Sequence, residues 1–305
     1  MPEGDTIFRS ARGLKTALAG RQVTGFETAY AQLASIHDNA SVVGRTVDNV
    51  EARGKWLLIS LSGDLVLVTH MLMNGTWHLY RPGERWRRPR SHMRIVLSTS
   101  EWQAVAFLVP VAQFHTARSL ERHPAIPRLG PDLLAAQFSV DEATARLREQ
   151  ATVEVADAIL NQRVIAGAGN VFKSEICFAC GVNPFRLVSS LGKSEIECLL
   201  DTARKYLQAN VTAAHGDSIV TYTGGRRTTG AANPGAKLWV YGRRGRPCRR
   251  CGTPILTRKQ ALGARSTYWC PQCQPMPQPV EADASNSAIE GWSNPIARRK
   301  VGCGS

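Results

Sequence analysis

The chain has 305 residues, 43% of them hydrophobic, and a formal net charge of +14. This length predicts about two domains with substantial cores. No apolar run approaches the roughly 18–20 residues that cross a membrane, and no basic segment followed by an apolar stretch opens the chain, so we expect a cytoplasmic protein without a membrane partner.

The chain opens with a proline and a carboxylate, Pro2 and Glu3, behind the initiating methionine. Removal of Met1 would leave Pro2 as a free secondary amine. An α-amino group titrates near ~7.7–8.0, so this amine would be nucleophilic near neutral pH. Glu3 is adjacent by covalent geometry and can move protons for the same substrate atom. The opening therefore indicates imine chemistry at the N-terminus.

A helix and then several strands are predicted next. Asp5 is expected to cap a helix that carries an apolar stripe and ends at Gly20. From residue 23 to about residue 109, short apolar segments separated by turns predict a β-sandwich. The segments with the strongest strand pattern are 56–59, 65–68, 95–97 and 104–107.

Three prolines mark a linker at 124–133, after which the periodicity is helical to about residue 214. We predict a helix over 153–160, a glycine turn over 161–169 and a second helix from Val171. Asn170 is expected to cap that second helix. Backbone donors at such a helix start suit a phosphate, although glycines in tight helical connections more often serve packing.

Basic residues are concentrated in the C-terminal part of the chain. Residues 218–273 contain 11 basic and no acidic residues, whereas residues 132–217 contain 8 basic and 11 acidic ones. Such a window predicts a polyanion as partner, and nucleic acid above all. The alternative is a basic surface that is simply solvated.

Four cysteines form two CxxC pairs separated by eighteen residues: Cys248, Cys251, Cys270 and Cys273. This spacing predicts a zinc ribbon over 241–273, and the absence of histidine and acid in the window makes the Zn²⁺ structural. Cys177 and Cys180 form another CxxC, but they lie in an apolar helical segment and are predicted to be core cysteines rather than a redox pair. Residues 274–305 are predicted to be a disordered tail.

Together these segments resemble a known family. The segments are the opening PEGDT, residues 53–55, 71–75, 128–132 and 166–170, and residues 268–271 of the ribbon. In order and spacing they are similar to the formamidopyrimidine-DNA glycosylase and endonuclease VIII family of base-excision repair enzymes, over residues 1–273. The resemblance implies an α+β multidomain fold: an N-terminal β-sandwich with an N-terminal helix (1–123), a linker (124–133), a helix-two-turn-helix domain with its connection (134–240), and the C-terminal zinc ribbon.

The resemblance also implies catalytic roles. Pro2 would attack the anomeric carbon of a damaged nucleotide, expel the base and leave an imine. Glu3 would protonate the sugar ring oxygen and later shuttle protons for strand cleavage. Lys55 would contact a phosphate and assist elimination. Arg265 would grip a phosphate beside the lesion and donate a proton in the second elimination.

Three further residues are implied to bind DNA. Arg128 and Asn170 match residues that hold the DNA backbone, and Met73 matches the side chain inserted into the gap left by an everted nucleotide. Without the resemblance, Lys55 is a surface lysine, Arg128 a solvated linker charge, Asn170 a helix cap and Met73 a cover for the core.

The sequence departs from the family in two places. Thr6 stands where many members carry glutamate, while Leu72 and Asn74 stand where some endonuclease VIII proteins have glutamine and tyrosine. The opening PEG rather than PEL favours the endonuclease VIII branch, which prefers oxidised pyrimidines.

We therefore predict a monomeric, zinc-containing bifunctional DNA glycosylase and abasic-site lyase that acts on damaged DNA by β,δ-elimination. One alternative is an abasic-site lyase without base excision. The other is a zinc-ribbon protein that binds nucleic acid without catalysis, although binding alone needs neither the amine nor the carboxylate at the start of the chain.

Overall fold

The computed structural model describes residues 2–212, 221, 237–260 and 264–277. Most of the predicted connection at 218–240 lies outside these residues. The predicted tail lies outside them beyond residue 277. The domain boundaries given above stay predictions.

The N-terminal part is a helix packed on two antiparallel sheets. Its elements are α1 (Gly4–Leu18), β1 (Gly25–Thr28), α2 (Ala31–Asn39), β2 (Val47–Arg53), β3 (Trp56–Leu61), β4 (Leu65–His70), β5 (Thr76–Tyr80), β6 (Met93–Ser98), β7 (Gln103–Phe107), β8 (Val111–His115) and α3 (Ala117–Leu120). One sheet has the order β2-β3-β4-β8 and the other β1-β6-β7-β5. A shared core of α1 and both sheets confirms the predicted β-sandwich with an N-terminal helix.

The helical part has a separate core. Its helices are α4 (Val140–Arg148), α5 (Val155–Leu160), α6 (Asn170–Ala179) and α7 (Lys193–Thr212). Their apolar faces meet in one cluster around Phe172, Ile176 and Leu199, all nearly inaccessible to solvent. None of the helices within the described ranges has the length and apolar character needed to cross a membrane.

The cysteine-containing part is a hairpin attached to α6. Strands β9 (Leu256–Gln260) and β10 (Arg265–Trp269) pair antiparallel. The hairpin packs on α6 through an apolar cluster that includes Phe178 and Ile255, and the Tyr268 N–H donates to the Ser174 hydroxyl at 3.3 Å. The hairpin is therefore fixed against the helix whose N-terminus forms part of the site described below.

Two predicted helix caps are wrong. Helix α1 starts at Gly4 with Glu3 as its N-cap, so Asp5 lies in the first turn, where it is buried beside Arg9 at 3.6 Å. Helix α6 starts at Asn170 with Gly169 as its N-cap. The end of α1 was predicted correctly, since Gly20 follows its last turn with a φ of 77°. Helix α2 was not predicted from the sequence, and a single residue of it, Leu33, is buried.

The prediction for the Cys177-Cys180 pair is half right. Cys177 is a fully buried core cysteine, but Cys180 forms a disulfide with Cys198 of α7. Cys180 follows the last turn of α6, where its Cα lies 5.9 Å from that of Cys198, a separation typical of disulfides. Sequence spacing alone does not indicate this pairing, because it depends on how α6 and α7 cross.

Candidate functional site

The Glu3 carboxylate is buried against the first turn of α6. Its side chain has no solvent exposure, and its oxygens accept hydrogen bonds from the Val171 N–H at 2.8 Å and the Phe172 N–H at 3.4 Å. Free N–H groups and the helix dipole both favour a negative charge at this position. The backbone donors, which would also suit a phosphate, are thus occupied by a carboxylate of the same chain.

The glycine turn before α6 makes this contact sterically possible. A Cβ atom on Gly169 would lie 2.3 Å from the Glu3 Cδ, and a Cβ on Gly4 would lie 2.7 Å from the Gly167 Cα. Gly167 has a φ of 107°, and its carbonyl accepts the Gly4 N–H at 2.9 Å. Glycine is therefore required at these positions because the N-terminal segment passes directly over the turn.

The electrostatics of Glu3 are set by burial and by a neighbouring ammonium group. Burial raises the pKa of Glu3 above its ordinary value, while the charge of Lys55 acts in the opposite direction. Burial likewise lowers the pKa of Lys55; Glu3 opposes this shift and Arg265 adds to it. Lys55 thus interacts electrostatically with both Glu3 and Arg265. A carboxyl group with a raised pKa is suited to donate a proton near neutral pH.

Lys55 is positioned by the turn between β2 and β3. Gly54 adopts a φ of 57°, and its N–H donates to the Asp132 carboxylate at 2.7 Å. The other oxygen of Asp132 accepts the Leu134 N–H at 2.9 Å. A Cβ on Gly54 would lie 3.2 Å from the Cβ of Ala166, so the turn packs directly against the glycine turn of the helical part. Asp132 had been noted only as part of a motif, and this positioning function was missed.

A cavity of about 630 Å³ lies beside Pro2. One wall is a single face of the N-terminal segment, formed by Pro2, Thr6 and Ser10. Another wall includes Met73, whose side chain is 61% exposed. The volume is within the range of ordinary ligand pockets, so the cavity can accept a substrate group beside Pro2.

The remaining predicted site residues differ in their burial and in their contacts. Asn170 is the first residue of α6; its amide donates to the Tyr241 hydroxyl at 3.3 Å, and its buried Oδ1 has no hydrogen-bond partner in the described part of the chain. Arg265 is exposed at the start of β10. Arg128 is exposed at the end of a 3₁₀ turn, and no described residue forms an ion pair or hydrogen bond with its guanidinium. The structure therefore assembles Pro2, Glu3, Lys55, Asn170 and Arg265, but provides no contact from Arg128 to them.

A lysine in the middle of α6 was missed by the sequence analysis. Lys173 is fully buried, and its ammonium has no hydrogen-bond partner among the described residues. Burial lowers the pKa of Lys173 to about 8, with Asp157 opposing the shift. The sequence gives little indication of this, because Lys173 is followed by two further polar residues, Ser174 and Glu175, in a segment predicted as an apolar helix.

We expect Lys173→Met to stabilise the protein. The pKa falls from 10.5 to about 8 on folding, so keeping the charged form at neutral pH costs on the order of 3 kcal/mol. Between about pH 8 and pH 10.5, Lys173 binds a proton in the unfolded chain but not in the folded chain. The free energy of unfolding of the wild type should therefore increase as the pH rises through this range. Both the cost at neutral pH and this increase should disappear in Lys173→Met.

Urea unfolding at about pH 7 and about pH 10 would measure both effects. Lys173→Arg serves as the control, because it keeps a charge at the buried position and should be less stable than Lys173→Met at both pH values. A Lys173→Met variant that is less stable than the wild type at neutral pH would contradict the prediction.

The four predicted metal ligands converge. The sulfur atoms of Cys248, Cys251, Cys270 and Cys273 all lie within 4.8 Å of one another. The distances are 3.9 Å for the Cys248–Cys273 pair and 3.4 Å for the Cys251–Cys270 pair. Four thiolates at ~2.3 Å around a tetrahedral zinc are separated by about 3.8 Å, so the cluster fits this metal. The backbone N–H of Cys270 also donates to the Gln274 side chain, which in turn donates to the Val182 carbonyl.

Comparison with known families gives three matches along the chain. Residues 1–110 match the formamidopyrimidine-DNA glycosylase N-terminal domain, and residues 129–222 match the H2TH domain of the same glycosylase. Residues 245–275 match the zinc finger found in that enzyme and in IleRS. The third match includes all four clustered cysteines.

Several relatives are similar over nearly the whole chain. A protein of Streptomyces coelicolor named probable endonuclease 8 2 is 40% identical over 282 residues, which cover 92% of this chain and 96% of the relative. Endonuclease 8 2 of Mycobacterium tuberculosis is 36% identical, covering 90% and 100%. A protein of Mycolicibacterium smegmatis named DNA-(apurinic or apyrimidinic site) lyase Nei2 is also 36% identical, covering 90% and 99%.

Solved structures support the fold. Lactococcus lactis Fpg in complex with abasic-site DNA superimposes with a TM-score of 0.74 at 23% sequence identity, covering 90% of this chain and all of the other. The same enzyme as a mutant with Fapy-dG DNA gives a TM-score of 0.75. At this identity, the likeness establishes the fold alone.

Proposed function

Because the chain belongs to the formamidopyrimidine-DNA glycosylase and endonuclease VIII family of DNA glycosylases and abasic-site lyases, we propose that it excises oxidised pyrimidines from DNA and then cleaves the strand. The main support is the arrangement of Pro2 beside the cavity, next to a buried Glu3 whose charge is coupled to Lys55. The alternative of a non-catalytic zinc-ribbon protein is set aside, because this is a family of enzymes.

In the proposed reaction, the Pro2 nitrogen forms a bond to C1′ of the damaged nucleotide, and the bond between C1′ and the base breaks. Glu3 donates a proton to the sugar ring oxygen, so that the ring opens to an iminium ion. The raised pKa of Glu3 supports this role, because it favours the protonated form that such a donor needs.

Strand cleavage would follow from the iminium ion. Loss of a proton from C2′ expels the 3′ phosphate in β-elimination, and a second elimination expels the 5′ phosphate. Lys55 would contact a phosphate and assist the first step, whereas Arg265 would hold a phosphate and supply a proton in the second. The charge of Arg265 acts to lower the pKa of Lys55, which supports an anionic ligand near these two cations.

DNA would be held by residues around the cavity. Met73 would fill the gap left in the duplex when the damaged nucleotide turns into the cavity, a role that its exposure and its position on the cavity wall support. Asn170 would offer its amide to a backbone phosphate, and Arg128 would bind a phosphate farther away. Four thiolates would hold a structural Zn²⁺ that keeps the β9–β10 hairpin, and Arg265 with it, in place.

Borohydride trapping on a panel of oligonucleotides tests this function. The protein should form a covalent adduct with duplexes that carry oxidised pyrimidines and with duplexes that carry a pre-formed abasic site. It should not form one with undamaged DNA. Absence of any adduct on every damaged substrate would refute the proposal.

A lyase without base excision is the second candidate. It is favoured by the name of the relative from Mycolicibacterium smegmatis, which mentions the abasic-site lyase activity alone. The same panel separates the two functions, because a pure lyase would be trapped on pre-formed abasic sites and on no oxidised base.

We expect Cys270→Ser to release the metal and unfold the β9–β10 hairpin. The Cys270 side chain is fully buried between the other ligands and α6, and structural zinc contributes apparent energies of about 10–16 kcal/mol in small zinc-finger peptides. DNA binding should weaken, while the β-sandwich keeps its cooperative thermal transition. Elemental analysis, DNA titration and calorimetry measure the three effects.

Cys198→Ser is the matched control for that experiment. It removes a sulfur from the disulfide with Cys180, neither cysteine of which belongs to the four-cysteine cluster, and should leave the zinc content unchanged. Active wild-type protein without zinc, or Cys270→Ser protein that retains it, would contradict the proposed metal site.

A further inference from the structure

An arginine-rich segment after β5 has no function in the reaction proposed above. Residues 81–94 contain six arginines and a single acid, Glu84. Several of these arginines have partners. Arg81 contacts Glu101 at 3.8 Å and stacks on Trp102, and Arg90 contacts Glu27 at 2.6 Å.

Two neighbouring arginines of the segment are different. Within the described ranges, no carboxylate or carbonyl group pairs with the guanidinium of Arg87 or Arg88. Arg87 is exposed and Arg88 half-buried, and both line the cavity that contains Pro2. Two adjacent cations without a counter-ion repel each other, so their placement in one cavity wall favours an anion as ligand.

The segment that carries them is held in place. The indole N–H of Trp86 donates to the Gln103 side chain at 2.7 Å, and its ring lies 5.6 Å from that of Phe107. The backbone N–H of Arg87 donates to the hydroxyl of the buried Tyr80 at 3.1 Å. The backbone is therefore anchored on the outer face of the β1-β6-β7-β5 sheet. This fixes the position from which the side chains of Arg87 and Arg88 extend.

We propose that Arg87 and Arg88 bind a backbone phosphate of the DNA strand that enters the Pro2 cavity. This inference rests on the proposed function. A guanidinium group presents paired N–H donors that match a phosphate, and it remains charged at any physiological pH. The pair is separate from Lys55 and Arg265, neither of which lines the cavity. The strand would thus be held by two separate sets of cations while its damaged nucleotide lies in the cavity.

The test is the salt dependence of DNA binding. For duplex DNA, log K falls with log salt concentration by about 0.9 per neutralised phosphate. The double variant Arg87→Ser/Arg88→Ser should therefore lower the slope by about one unit on a duplex with a stable abasic-site analogue. Arg87→Lys/Arg88→Lys should keep most of the slope, because the charges remain.

The matched control is Arg118→Ser/Arg122→Ser. These arginines are also exposed, lie in the same part of the chain and are absent from the cavity wall. This control should leave the slope unchanged. The inference is overturned if the Arg87/Arg88 variant keeps the wild-type slope, or if the control lowers the slope by the same amount.

Trapping separates failure of this inference from failure of the proposed function. The Arg87→Ser/Arg88→Ser variant should still form the borohydride adduct on abasic DNA at saturating protein concentration, because the Pro2 amine is intact. If the wild-type protein forms no adduct, the proposed function fails, whereas the salt slopes still decide whether the arginine pair binds a phosphate.

Discussion

A chain that retains Met1 will form no covalent adduct with abasic DNA under borohydride, whereas the processed chain will be trapped efficiently. The nucleophile in the proposed reaction is the secondary amine of Pro2, and a preceding methionine converts that nitrogen into an amide. An amide nitrogen is not nucleophilic, so the loss should be complete within detection. Intact mass measurement establishes the state of the terminus, and gel analysis measures the adduct.

Pro2→Gly gives an intermediate case. It retains a terminal amine but loses the ring, so the adduct should form much more slowly than in the processed wild type. Peptide mapping of the wild-type adduct provides the decisive control. A link located on Lys55 or Lys173 instead of Pro2 would show that the deprotonated amine of a lysine side chain is the nucleophile.

Glu3→Gln should reduce base removal by about 10²–10⁴-fold, the usual contribution of a positioned acid or base. The substitution keeps the shape of the side chain. Its amide oxygen can still accept the Val171 N–H, but its NH₂ group can neither accept the Phe172 N–H nor donate a proton to the sugar as an acid does. Single-turnover release of an oxidised pyrimidine measures the rate.

The pH dependence of base removal tests the same proton-donor role of Glu3. Burial raises the pKa of Glu3, so the fraction of protonated carboxyl, and with it base removal, should fall as the pH rises through that pKa. This fall in the rate of base removal with rising pH should be absent in Glu3→Gln. The salt slope of DNA binding should stay near that of the wild type, because no phosphate contact is assigned to Glu3.

Gly169→Ala perturbs the Glu3 carboxylate sterically instead of chemically. Its Cβ would lie 2.3 Å from the Glu3 Cδ, so the carboxylate must move although its charge is retained. Base removal should decline in this variant as well. Glu3→Gln protein that excises bases within about tenfold of the wild-type rate would exclude the proton-donor role.

Local patterns in the sequence were enough for some parts of the fold and site. The hairpin of β3 and β4 follows from two apolar segments around a turn at 62–64, and the cysteine cluster follows from the spacing of two CxxC pairs. The pairing of Pro2 and Glu3 follows from their adjacency. In each case the residues that interact are close in sequence or belong to a motif with a fixed spacing.

Contacts between distant segments could not be predicted in this way. The carboxylate of Glu3 and the N–H of Val171 are separated by 168 positions, and Asp132 reaches Gly54 across 78 positions. The glycine turn and its packing role were predicted, but the carboxylate that occupies the helix start was not, because a helix start attracts any anion, whether a phosphate or a carboxylate. The ammonium of Lys173 was missed because helical periodicity does not reveal which polar side chain is buried without a partner.

The contact between Glu3 and the first turn of α6 also bears on how the enzyme matures during synthesis. Residues 2–4 leave the ribosome long before residues 167–172, against which they pack. At about 5–20 residues per second, this interval lasts roughly 8–30 s. During that time the N-terminus cannot adopt its final position, so an aminopeptidase has access to Met1. Until α6 has been made, Glu3 lacks the burial that raises its pKa. On the proposed mechanism, the nascent β-sandwich would therefore carry the nucleophile before its acid has a raised pKa.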